Sequence, residues 1–100
     1  MKPWWIYNYI ELGYAYHLID QDRNVNEGLE LIEKALEMSG GQYEYIFLDC
    51  KGLGLFKQGR YDEALEVLQK GWDLRRAKAG YDHKAFLHLE AARKAVVEAN

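Results

Sequence analysis

Two sets of residues recur at one fixed interval, and that interval restricts the chain to a small group of folds. Gly28, Ile32 and Ala35 stand 36 residues before Ala64, Leu68 and Gly71. Within each set, steps of four and three place a small, a large apolar and a second small residue on one helical face. Helices that pack at close range need a side without bulk where their axes cross. A second pattern, Tyr9, Leu12, Gly13 and Tyr16, returns as Leu48, Lys51, Gly52 and Leu55. Its interval is 39 residues, because the first turn is longer by three. A unit repeated with a period of about 20–50 residues signals an array that buries its core by stacking.

The stretch Leu48 to Gly71, LDCKGLGLFKQGRYDEALEVLQKG, holds one complete unit: two short helices around a turn at Gln58–Gly59–Arg60. Its spacing resembles the tetratricopeptide repeat, W-x2-L-G-x2-Y…A-x3-F…P. Leu48 stands at the Trp position, Lys51 at the Leu, Gly52 at the Gly and Leu55 at the Tyr. Ala64 is the small residue of the second helix, Leu68 takes the Phe position and Gly71 is the next small contact. Tyr61 opens the second helix as a ring able to wedge between the two. Lys51 and Arg76, the latter at the terminal Pro position, depart from the pattern. The resemblance implies an all-α fold of antiparallel helix-turn-helix repeats, an α-solenoid of five helices in one domain spanning 1–100. Repeat one is expected at about 3–40, repeat two at about 42–79 and a capping helix at about 82–98.

The local signals agree with that division. Pro3 suits a first helical turn, and Trp4 to Ile19 is apolar almost all round. Asn24 or Asn26 can cap a second helix over Glu27 to Met38, which Ser39-Gly40-Gly41 ends. A third helix is expected from about Gln42 to Lys57. It contains Gly52 and Gly54, each costing roughly 1 kcal/mol against alanine, a cost tolerated where a neighbour must come close. A fourth begins at Tyr61, with Asp62 and Glu63 favourably placed against the helix dipole, and runs to about Lys78. In the fifth, Asp82 to Glu98, the residues Phe86, Leu89, Ala92, Val96 and Val97 fall along one broad side. Such a terminal helix covers the face that a last repeat would leave in water.

Composition sets outer bounds. With 49% hydrophobic and 29% charged residues the chain reads as an ordinary soluble domain. No apolar run approaches a membrane span, and Met1-Lys2 leads into Pro3 without a signal-peptide core. A cytoplasmic setting is the expectation, although a piece of a longer secreted chain would look the same. The formal net charge of −3 is uneven: residues 1–69 sum to −6 and residues 70–94 to +4. The uneven charge reads as two solvent faces of different sign, or as a basic edge meeting an acidic partner. No basic stripe interleaves with aromatics, so nucleic acid is not an expected partner.

Catalytic and metal chemistry is not expected either. His83 and His88 are five apart and do not share a helical face; His17 is isolated. Cys50, the single cysteine, has no base near it in sequence and reads as a small packed residue. Glu27, Glu30, Glu33 and Glu37, with Lys34 among them, read as a solvated helix face. No glycine-rich loop follows a strand, no cofactor is expected, and the chain is not expected to be an enzyme.

Function is expected in a groove. In the family that the chain resembles, the first helix of each repeat lines a concave surface that holds partners. Carried over, those positions are Tyr7, Ile10, Glu11, Tyr14 and His17 in repeat one. In repeat two they are Ile46, Asp49, Cys50, Leu53, Phe56 and Lys57, and the fifth helix adds Lys84 and His88. Many members grip acidic tails through Lys, Asn and Arg; Ile10, Tyr14 and Cys50 stand there instead. The resemblance therefore implies a protein-binding module with an apolar or aromatic groove for a peptide or helix. Trp4 and Trp5 are adjacent and point roughly 100° apart on a helix, so one is expected to face an upstream repeat or a second copy, most simply a homodimer. The alternative function is a self-assembling, excised or designed scaffold with no ligand.

Overall fold

The computed structural model describes Ile19, Gln21, and residues 23–39 and 44–99. Four helices follow one another: α1 (Val25–Ser39), α2 (Glu44–Lys57), α3 (Tyr61–Lys78) and α4 (His83–Ala99). They are the second to fifth of the expected helices, and among the described residues there is no strand. The expected first helix, repeat one's first half, lies outside the described residues except for Ile19.

The helix ends follow local chemistry. At the start of α1 the Asn24 Oδ1 accepts from the Glu27 amide at 3.1 Å, while Glu27 Oε2 accepts from Asn24 Nδ2 at 3.1 Å. This reciprocal cap satisfies an otherwise orphaned donor. Asp82 caps α4 in the same way, accepting from the Ala85 amide at 2.9 Å. Between α2 and α3, Gly59 takes φ +79°, a conformation that side chains with a Cβ rarely adopt. It lets the Arg60 amide turn back to the Leu55 carbonyl at 3.0 Å and close α2.

Packing is mostly between consecutive helices. α2 lies between α1 and α3; α3 packs on α4, and α4 also reaches α2, whereas α1 and α3 do not pack on each other. One core cluster joins Ile19, Ile32 and Ala35 to Phe47, Cys50 and Leu53; the other joins Leu68 to Leu89 and Ala92, with Phe56, Leu65 and Trp72 against it. The recurrent positions are all inside: Gly28, Ile32 and Ala35 are buried, as are Ala64, Leu68 and Gly71.

The two costly glycines of α2 have separate reasons. A Cβ on Gly52 would overlap the Leu68 side chain of α3. One on Gly54 would meet Leu29 of α1 at 2.6 Å. Two residues along a helix is a rotation of roughly 200°, so these glycines serve opposite sides of α2. Both departures from the repeat pattern also find partners. Lys51 Nζ bonds Glu33 Oε1 at 2.8 Å. Arg76 lies over the Trp72 ring at 5.8 Å, beside Tyr81, in the cluster of rings at the α3–α4 turn. Tyr61 does lean on the preceding helix, its ring 5.4 Å from that of Phe56.

Candidate functional site

α2 presents an inner side toward α4 and an outer side between α1 and α3. On the inner side His88 Nδ1 and Asp49 are joined at 3.0 Å to Oδ1 and 3.2 Å to Oδ2. Both side chains are only 15% exposed, and the bond spans two elements 39 residues apart. It locks α4 against α2. Replacing His88 by Ala leaves a half-buried carboxylate short of a partner, so a loss of roughly 1 kcal/mol is expected. Asp49→Ala is expected to cost about the same, and the double variant less than the sum. Denaturant unfolding of the four proteins measures this, and strict additivity would mean the contact contributes nothing.

The other expected groove residues divide. Phe56 of α2 is half-buried, packed against the Leu68, Leu89 and Ala92 cluster of α3 and α4 and beside the Tyr61 ring. Lys57 is exposed at the end of α2, and Lys84 is exposed one turn before His88 on α4. Leu53 is only 7% exposed and belongs to the core with Ile32 and Phe47, so it has little surface to offer a partner. Cys50 is in the same core. Burial, and after it the Asp49 carboxylate, push its thiol far above the ordinary range, with Arg75 working against them. A thiol held protonated in this way is a packing residue and not a nucleophile. Tyr7, Ile10, Glu11, Tyr14 and His17, together with Trp4 and Trp5, lie outside the described residues.

The expected basic edge is largely answered within the chain. Arg75 lies over the Tyr45 ring at 5.0 Å and reaches Asp82 at 3.8 Å. Lys70 pairs with Glu44, and Arg93 bonds Glu90 and Gln69. Among the described residues no group of His, Cys, Asp and Glu is placed to hold a metal ion, and no helix is long and apolar enough to cross a membrane.

The outer side holds a feature that the sequence reading passed over. Because α1 and α3 stand apart across α2, an open cleft of about 580 Å³ runs between them. Leu29, Leu55 and Val67 supply its apolar surface; Glu30 and Glu33 come from α1, Glu63 and Glu66 from α3. One end is tied by a polar chain, Asn26 to Gln58 at 2.7 Å and Gln58 to Arg60 at 3.0 Å. Arg60 then grips Glu63 by donating from Nε to Oε1 at 3.1 Å and from Nη2 to Oε2 at 2.6 Å. That hydrogen bonding holds the Glu63 carboxyl below its usual range and the Arg60 guanidinium above its own. Glu33 is paired with Lys51 from the cleft floor and not with its helix neighbour Lys34.

No protein-family model matches the chain, and no curated protein or solved structure is significantly similar to it.

Proposed function

We propose that the chain is a tetratricopeptide-like module of two repeats and a capping helix that binds a peptide or helix of another protein on its inner side. One observation carries the reading. The six recurrent positions, 36 residues apart, are buried at matching places on α1 and α3, with α2 fitted between them. Stacked helix pairs of this kind expose the first helix of each pair along one side. On that side Tyr7, Ile10, Tyr14 and His17 would continue the strip formed by Asp49, Phe56, Lys57, Lys84 and His88. Leu53 is better assigned to support beneath it. Trp4 and Trp5 are the residues for self-association, and a cytoplasmic protein or peptide is the partner class.

Selection of peptides from a displayed library against the full chain tests the proposal. Selected peptides are expected to lose roughly 1–2 kcal/mol of affinity to Tyr14→Ala and to Phe56→Ala, as aromatic anchors do. Unfolding curves confirm that both variants remain folded. Selection of no peptide, with light scattering showing association that Trp4→Glu abolishes, would favour the scaffold reading instead.

A further inference from the structure

The outer cleft is a second site, on the side of α2 away from the inner strip. Two of its carboxylates belong to the repeat itself: Glu30 and Glu66 are 36 residues apart. Successive second helices therefore bring the same acidic positions to the same face. Of the four carboxylates on the cleft, two are answered by cations of the chain, Glu33 by Lys51 and Glu63 by Arg60. Glu30 and Glu66, on opposite walls, are exposed and take part in no ion pair among the described residues. Between them lie the half-buried Leu29 and Val67, with Leu55 buried. Lys51 already sets an ammonium against a wall carboxylate there, 2.8 Å from Glu33 Oε1.

We propose that the cleft between α1 and α3 docks a basic amphipathic segment of a protein partner, its apolar side chains on the half-buried Leu29 and Val67 and its cations at Glu30 and Glu66. Charge complementarity selects the occupant. The cleft carries four carboxylates against one lysine and one arginine, so an acidic segment is repelled. A purely polar cation leaves the apolar floor uncovered. A segment that presents cations beside apolar side chains satisfies both.

Calorimetric titration of the full chain with a synthetic helix of leucine and lysine tests this. Saturable binding that weakens as salt rises is expected. The same peptide with glutamate in place of lysine, and spermine, are expected to give none. Glu30→Gln and Glu66→Gln together are expected to weaken the lysine peptide roughly five- to tenfold. Both positions are exposed on helices, so the fold tolerates the change, and circular dichroism checks it. Glu98→Gln, exposed near the end of α4, is expected to leave the affinity unchanged. An equal loss in Glu98→Gln, spermine binding of similar strength, or full affinity in the double variant would each overturn the assignment.

Discussion

Gly52→Ala is expected to lower the unfolding midpoint of the native chain and to raise it once Leu68 has been cut to alanine. In a helix interior this substitution ordinarily stabilises by about 1 kcal/mol. Here the added methyl would land on Leu68, which is buried and has little room to turn aside. Overpacking of that kind costs about 1–3 kcal/mol, enough to reverse the sign. Leu68→Ala alone opens a cavity against Leu89 and Ala92, and roughly 2–5 kcal/mol is expected to be lost. In that background the methyl at residue 52 meets a void and keeps its helical advantage. The cycle of four proteins, unfolded in guanidinium, should show a coupling of at least about 1 kcal/mol. Additive effects would mean that α2 and α3 do not approach at Gly52.

Leu89→Ala is expected to remove roughly 2–5 kcal/mol as well, but to spend that loss locally. Leu89 is 1% exposed and seals α4 onto α3. Where an element packs on only some of the others, the stability it lends is not shared equally across the molecule. α4 packs on α3 and along part of α2, and α1 does not contact it. Amide hydrogen exchange should therefore quicken most across α4 and least across α1, whose cluster around Ile32 and Phe47 is untouched. Equal acceleration in both helices would show that the chain opens only as one unit.

What could be read from the residues alone was whatever recurs. Ile32 and Leu68 announce themselves because a large apolar residue stands between small ones at the same interval, and both prove to be core. One helix start was legible because a side chain supplies the bond, as Asn24 does. Leu53 was harder. α2 is apolar nearly all round, so no polar stripe separates the side facing a groove from the side facing the core. His88 and Asp49 were each visible as inner positions, yet nothing in a separation of 39 residues says that they touch. The outer cleft was hidden for another reason. It exists because α1 and α3 fail to meet, and a gap between two elements leaves no mark on either. Glu30 and Glu66 look like ordinary solvated carboxylates until the space between them is known.

Cys50 gives the molecule a built-in probe of its own breathing. It is the single cysteine of the chain, buried in the cluster that binds α2 to α1. A thiol-modifying reagent added from outside can reach it only when that cluster opens. The rate of labelling then counts opening events at one defined seam, with no mutation needed to install the handle.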